Sequence, residues 1–303
     1  MNAQSTFKFR LAVVGTAIAS MPLMLGGVAH ADLVASVPLG VSSGYSVLAA
    51  ETITNDGTST FASSIGLSPG TSITGILPVA VAPPGTIDAA NTAAANGQLA
   101  LTTAYLNAAG RTPTEVTANL TGLTLQGGVY SGPSRSSLML PGTLTLDANG
   151  NEDTVFIFVT DSTLTTGSGS SINLINGAQQ CRVFWQVGSS ATLGSGSVMV
   201  GNVLAQASVT LDAGVTVYGR VMARTGSVTL ISDTFVNPTC ASAAVIGGIA
   251  TTTPAGVVGT NPDGTPVITP AGSTSSGTVW LALGLLATGI AVVRLAVRRP
   301  SSI

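Results

Sequence analysis

In the C-terminal half of the chain, apolar and polar residues alternate in short runs separated by glycine. Ser208-Val209-Thr210-Leu211 is one such run. As a strand it turns Val209 and Leu211 toward a core and Ser208 and Thr210 away from it. The runs recur. Thr192-Leu193 returns as Thr210-Leu211 after 18 residues, and the same step carries Gly196 to Gly214, Gly201 to Gly219, Val203 to Val221 and Ala205 to Ala223. A further copy starts at Ser227-Val228-Thr229-Leu230, offset by 19. Val155-Phe156 and Val183-Phe184 open units 28 apart, the longer step holding an insertion from Asn176 to Arg182. Near the N-terminus, Val47-Leu48-Ala49 followed by Thr52-Ile53-Thr54 echoes Val203-Leu204-Ala205 followed by Ser208-Val209-Thr210.

Such a period predicts a mostly β fold, an irregular β-solenoid with three-faced rungs of about three short strands each and glycine at the corners. A β-sandwich is the runner-up, but its strands do not keep a fixed register of this kind. One segment departs from the pattern. From Asp88 to Ala109, small and apolar residues (Ala90, Ala94, Gly97, Leu101, Tyr105, Ala108) fall at three- and four-residue steps, the spacing of one helical face. Asp88 supplies a start signal, and Gly110 with Pro113 a stop. The predicted rod is roughly 33 Å long. Its stripe of small residues suits docking along the solenoid, covering one face and leaving another free.

The two ends read differently from the middle. Residues 1–31 have the layout of a secretory signal peptide: Lys8 and Arg10, an apolar run from Leu11, and Ala29-His30-Ala31 as a cleavage site. Residues 278–297 contain an apolar run from Val279 to Val297, long enough to span a bilayer, with Arg298 and Arg299 behind it. The positive-inside rule then places the 298–303 tail in the cytoplasm and the rest outside the cell. Residues 241–277, rich in Thr, Gly, Ala, Pro and Ser, read as a linker. The folded unit is therefore residues 32–240, exported and anchored by the C-terminal helix, or released where the anchor is cleaved.

Composition narrows the chemistry. Charged residues are only 7% of the chain and the net charge is −2, which offers no grip on nucleic acid. His30 and Lys8, the only residues of their kinds, both lie in the leader. The folded unit thus lacks the side chains for a Ser-His-Asp triad, a His-ligated zinc, a Schiff base or a P-loop. Its eleven carboxylates mostly sit beside Gly, Asn or Ser, as turn residues do. The expectation is a non-enzyme, without cofactor, metal or small-molecule substrate. Cys181 and Cys240 are too few for a structural zinc site and in an oxidising location predict one disulfide, the alternative being two buried thiols.

The stretch Ile172-Asn173-Leu174-Ile175-Asn176-Gly177-Ala178-Gln179-Gln180-Cys181-Arg182-Val183-Phe184-Trp185-Gln186-Val187-Gly188 closely resembles the microbial ice-binding protein family. Leu67-Ser68-Pro69-Gly70-Thr71, Leu101-Thr102-Thr103-Ala104-Tyr105 and Gly110-Arg111-Thr112-Pro113 are also similar, and the likeness spans about residues 33–240. The resemblance implies a β-solenoid that is discontinuous in chain order, with a long helix alongside. It further implies adsorption to an ice crystal surface through a flat face; the protein is expected to act as a monomer. The family's Thr-(Ala/Gly)-x-(Thr/Asn) motif corresponds here to Asp56-Gly57-Thr58-Ser59, Thr166-Gly167-Ser168-Gly169, Ser195-Gly196-Ser197-Val198 and Ala213-Gly214-Val215-Thr216. None keeps both outer positions. The residues carried over to the ice surface are Thr58, Ser59, Thr166, Ser168, Ser195, Ser197, Val198, Val200, Thr216 and Tyr218. The alternative is a structural or adhesive cell-surface protein that binds polysaccharide, for which exposed Tyr and Trp residues are the needed signal.

Overall fold

The computed structural model describes residues 34–238 and Cys240. The predicted leader (1–31) and anchor (278–297), and the linker between Cys240 and the anchor, lie outside the described residues. Among the described residues no helix is long and apolar enough to cross a membrane.

The steps of the sequence repeat become strand neighbours. Thr192 and Leu193 pair with Thr210 and Leu211, while Gly201, Val203 and Ala205 pair with Gly219, Val221 and Ala223. The 19-residue step pairs Thr210 with Thr229. Equal steps return the chain in the same direction, so these pairs are parallel. Among the described residues the strands form a fourteen-stranded and a seven-stranded sheet, with one α-helix.

Pairing follows three ladders. The helix-side ladder runs through Ile87–Ala89, Ser64–Leu67, Tyr45–Ala49, residues 220–223, residues 202–205, Val183–Val187, Phe156–Thr160, Gly128–Ser131 and Thr114–Glu115. The second ladder is the seven-stranded sheet: Leu138–Leu140, Leu164–Thr166, Ala191–Leu193, Val209–Leu211, Val228–Ile231, Thr52–Asp56 and Ser72–Thr74. The third branches from the larger sheet through Thr124–Leu125, Thr143–Asp147, Ser171–Ile175, residues 198–200, residues 216–218, Thr234–Val236 and Thr60–Phe61. The long strands Val198–Ala205 and Thr216–Ala223 serve two ladders each and turn between them at Gly201 (φ 101°) and Gly219 (φ 155°). A Cβ on Gly219 would lie 1.8 Å from the Gly201 carbonyl oxygen, so any side chain there forces the two strands apart.

Chain order and spatial order part at one seam. Tyr45–Ala49 pairs with the strand Thr216–Ala223, matching Val47 to Val221, and Thr52–Asp56 pairs with Val228–Ile231, matching Thr54 to Thr229. The first strands are thus stacked beyond the last ones. Helix α1 (Thr92–Ala109) then runs beside the helix-side ladder, and the next strand, Thr114–Glu115, lies at the ladder's far end.

α1 is shorter than the sequence predicts. It starts at Thr92, capped by the Asn91 side chain, which accepts from the Ala94 N–H at 2.9 Å. Asp88 is not the cap: it belongs to the strand Ile87–Ala89 and accepts from Tyr45, Thr86 and Asn91. Ala90 precedes the helix, but the rest of the predicted stripe (Ala94, Gly97, Leu101, Tyr105, Ala108) is buried, together with Ala104. A Cβ on Gly97 would come within 2.9 Å of the Tyr45 ring, so glycine here sets how closely α1 approaches.

Two apolar clusters result. The larger fills the space between the ladders, and the smaller joins Leu101, Ala104, Tyr105 and Ala108 of α1 to Leu48, Ile157, Val159, Phe184, Leu204 and Met222. Both sides of the helix-side ladder are therefore apolar. Its register corrects the 28-residue step: Phe156 pairs with Val183 and Ile157 with Phe184, a step of 27. A one-residue slip exchanges the two sides of a strand. The observed register sends Phe156, Phe158, Val183 and Trp185 into the main core and Ile157, Val159 and Phe184 toward α1. Trp185 stacks on Phe158 with centroids 4.1 Å apart, and its indole N–H donates to the Val200 carbonyl at 2.9 Å. Cys181 and Cys240 form the predicted disulfide, closing a sequence separation of 59 with Cα atoms 5.7 Å apart.

Candidate functional site

The seven-stranded sheet presents its centre residues in one row. The register connects Met139, Thr165, Thr192, Thr210, Thr229, Thr54 and Thr74, one from each strand. Except at Thr74, their strand neighbours on either side, such as Val209 with Leu211 and Val228 with Leu230, are buried, so alternation turns the threonines outward. Strand spacing sets successive threonines about 4.7–4.9 Å apart, and seven strands carry the row over roughly 29 Å. No hydrogen bond from any of the six hydroxyls to another group is found among the described residues.

Two residues earlier on each strand lies a second row: Ser137, Thr163, Ser190, Ser208, Ser227, Thr52 and Ser72. Its hydroxyls bond along the ladder. Thr163 Oγ1 donates to Ser137 Oγ at 3.1 Å and Thr52 Oγ1 to Ser227 Oγ at 2.9 Å, while Ser190 Oγ and Ser208 Oγ accept from the Ser208 and Ser227 N–H groups. The two rows contain no charged residue. One row spends hydroxyls on rigidity, and the other offers hydroxyls and methyls outward from β-branched side chains with few rotamers. The segments against which α1 packs belong to the helix-side ladder and the 3-10 turn Gly40–Gly44, not to this sheet.

The third ladder, which carries Val198, Val200, Thr216 and Tyr218 of the residues expected at the ice surface, is less uniform. Its outward row is Thr143, Ser171, Val198, Thr216, Thr234 and Thr60. Thr143 and Ser171 share a 3.0 Å hydrogen bond. Ser171 with Val198 is the only pair joining strand Ser171–Ile175 to strand Val198–Ala205. Beyond that pair the chain departs into the Asn176–Arg182 insertion, whose 3-10 turn Gln180–Arg182 packs against Val198–Ala205.

Four of the ten expected residues are corrected by burial. Ser59, Thr166, Ser197 and Val200 are all at or below 5% exposure. Thr166 ends its strand facing inward, and its Oγ1 accepts from the Gly194 N–H at 2.9 Å. Ser197 receives the Thr166 hydroxyl. Val200 belongs to the main core, against which Leu174 and Ala178 of the insertion region also pack. Of the other six, Thr58, Ser168 and Ser195 are exposed in the corners between the second and third ladders, and Val198, Thr216 and Tyr218 are half-buried on the third. No continuous surface unites the ten. Of the four motif glycines, Gly57, Gly196 and Gly214 have positive φ; Gly167 does not, and in that corner Gly169, two residues on, takes the positive φ.

Ser59 is buried because it serves a corner staple. Asp233 lies between the second ladder at Ile231 and the third at Thr234. Its carboxylate oxygens accept from the Val215 and Ile231 N–H groups, each at 2.8 Å, and its own N–H donates to Ser59 Oγ at 2.8 Å. Ser59 in turn donates to Asn55. Burial pushes the Asp233 carboxyl up to about 6, with a smaller push from Asp212, against the two backbone N–H groups that favour its charged form.

The threonine row escapes the motif-based expectation, although its signal is in the repeat: Thr192, Thr210 and Thr229 each precede a core leucine. Thr54 and Thr74 join the row only through the seam.

Comparison with known proteins agrees with this architecture. The ice-binding-like family model matches residues 47–236. An ice-binding protein from Nostoc sp. (strain HG1) is 44% identical over 202 residues, covering 66% of this chain and 73% of that protein. One from Flavobacterium frigoris is 33% identical over 218 residues, covering 67% and 76%. The crystal structure of an ice-binding protein from an Antarctic biological consortium matches with a TM-score of 0.65 at 37% identity, covering 68% of this chain and 93% of that one. That from the ascomycete Antarctomyces psychrotrophicus matches at 0.62 and 34% identity, covering 69% and 100%. With the family model spanning most of the described fold, the chain belongs to the ice-binding-like protein family.

Proposed function

We propose that this protein adsorbs to ice and that the threonine face of the seven-stranded sheet is the adsorbing surface. The relatives are named ice-binding proteins. The observation that carries the choice of face is the row Thr165, Thr192, Thr210, Thr229, Thr54 and Thr74, in register on adjacent strands, its hydroxyls without hydrogen-bond partners among the described residues. Ice is an extended, neutral lattice. A surface that meets it gains from length and regularity, and it loses wherever a charge must be stripped of water. Threonine offers a hydroxyl that holds ordered water and a methyl that favours leaving bulk water. Repetition at the strand spacing lets neighbouring waters adopt one arrangement that merges with the crystal.

In this reading the three ladders are the faces of a solenoid. α1 covers one, the insertion and the Cys181–Cys240 bridge crowd another, and the threonine sheet is left as the contact face. Adsorption forms and breaks no covalent bond, so the function asks for no cofactor. The predicted leader and the apolar run at 278–297 extend the reading to an exported protein held at the membrane, limiting ice growth beside the envelope or holding the cell to ice. A sugar-stacking adhesin receives less support, since Trp185, Tyr45 and Tyr105 are buried.

Thermal hysteresis and inhibition of ice recrystallisation by the full chain test the function. Hysteresis present in the native protein and lost in folded Thr192→Tyr is the expected result. A wild-type protein inactive in both assays overturns ice binding, and a fully active Thr192→Tyr variant overturns the face.

A further inference from the structure

Away from the threonine sheet, the seam between the N-terminal and C-terminal strands holds a cleft of about 400 Å³. It is lined by Ser43, Ser63, Ser64, Pro84, Arg220 and Asn237 among others, and no strand of the seven-stranded sheet contributes to it. Arg220 follows the Gly219 corner, where the chain passes from the third ladder to the helix-side ladder. Its Nε donates to the Ser43 carbonyl at 2.8 Å and its Nη1 to Asn202 Oδ1 at 2.9 Å. Asn202 is fully buried and is itself held by the Val183 carbonyl at 3.1 Å. The guanidinium is therefore fixed in place on one side.

Its charge is not answered. Among the described residues the ion pairs are Arg135 with Asp161 and Arg182 with Asp153, and no carboxylate lies within 4.0 Å of Arg220. Asp88, at this end of the fold, is taken by Tyr45, Thr86 and Asn91. Burial lowers the Arg220 guanidinium from its ordinary value, the direction given by a desolvated cation without a counter-charge. Nη2 has no partner among the described residues. With Nε and Nη1 engaged, the free N–H groups of Nη2 suit an oxygen of a carboxylate.

We propose that this cleft binds a carboxylate-bearing sugar, a uronic acid unit of an acidic polysaccharide, with Arg220 Nη2 holding the carboxylate. The volume is at the lower end of small-molecule sites and exceeds what a bare carboxylate needs. Asn237 spends its amide nitrogen on the Ala62 carbonyl, leaving Oδ1 to accept from a sugar hydroxyl, and Ser43 adds a hydroxyl. Pro84 and Pro238 offer apolar surface to the C–H face of a ring. Because the cleft shares no residue with the threonine rows, an acidic polymer and ice are held by separate parts of the molecule.

Isothermal titration of the full chain with sodium glucuronate, glucose and sodium acetate tests this. Glucuronate is expected to bind at least tenfold more tightly than either control. Arg220→Gln is expected to weaken it by tenfold or more. Since Arg220 also ties Ser43 to Asn202, a second variant leaves the arginine alone: Asn237→Asp places a competing carboxylate in the cleft and is expected to give the same loss. Glucuronate binding no tighter than glucose or acetate overturns the proposal, as does wild-type affinity in the folded Asn237→Asp protein.

Discussion

The second and third ladders make an instructive pair. Each consists of seven strand segments, and each places Thr or Ser at outward positions. Judged by residue type alone, the two are nearly interchangeable. They differ in continuity. In the second ladder every strand meets its neighbours through the central row, so the threonines form one file from Thr165 to Thr74. In the third, a single pair, Ser171 with Val198, joins two halves, and the chain leaves the ladder just beyond it. A crystal surface rewards the number of groups in one unbroken array, so the interrupted ladder loses more than its residue count suggests.

The sharpest way to break this comparison is a bulky side chain at matched positions. Thr192→Tyr, inside the row and flanked by Thr165 and Thr210, is expected to lower thermal hysteresis roughly tenfold, the scale of an interface hot spot. Thr216→Tyr on the third ladder is expected to keep most of it. Both sites are solvent-facing, so the thermal unfolding midpoint of each variant stays near wild type. Equal losses from the two substitutions would show that the ladders act together, and a loss from Thr216→Tyr alone would reverse the assignment.

The third ladder's crowding is tested through its covalent tie. Replacing Cys181 and Cys240 by serine is expected to lower stability by about 2–4 kcal/mol in denaturant unfolding, since the bridge restricts the unfolded chain. Hysteresis measured well below the unfolding transition stays unchanged, because neither cysteine belongs to the threonine sheet. A loss of hysteresis from the folded double variant would mean that the bridge side contributes to the contact.

How much of this was legible in the sequence depends on whether local pattern or distant contact decides. The 18-residue steps predict the register of Val203 on Val221 correctly, because both strands repeat the same alternation between the same glycine corners. The step from Val155 to Val183 fails by one, because matching residue types does not reveal which side of a strand faces the core. Asp88 carries a capping side chain, yet pairing of Ile87–Ala89 with Ser64–Leu67 claims it for a strand. Ser59, Thr166 and Ser197 lie in turn motifs that predict exposure, and the corners turn those side chains inward to bond to neighbouring side chains and the backbone. Thr54 and Thr74 lie far in sequence from Thr210, and only the seam brings them into its row. Which ladder stays uncovered follows from where α1 and the insertion pack, and no local pattern encodes that.

A gain is also available. Met139 is the one position of the central row without a hydroxyl, and it is 47% exposed at the edge of the sheet. Met139→Thr extends the file to seven threonines. A modest rise in hysteresis is expected, smaller than the loss from Thr192→Tyr because an edge strand adds one group rather than dividing the array. No change, or a fall, would show that the contact ends before this strand.

The smallest effect concerns the corner that joins the two ladders. Burial raises the folded Asp233 carboxyl from its ordinary value of 3.8 to about 6. The folded protein then holds this proton more tightly than the unfolded chain does. The resulting stability is fully present below about pH 4 and is lost as the pH rises through about 6. Asp233→Asn removes the titration and keeps one oxygen to accept a backbone N–H. The unfolding midpoint of the native protein, measured relative to that of Asp233→Asn, is therefore expected to fall between pH 4 and pH 7. A relative midpoint that rises over this interval would mean that the Val215 and Ile231 N–H groups outweigh burial, and that the corner is held by an ionised carboxylate throughout.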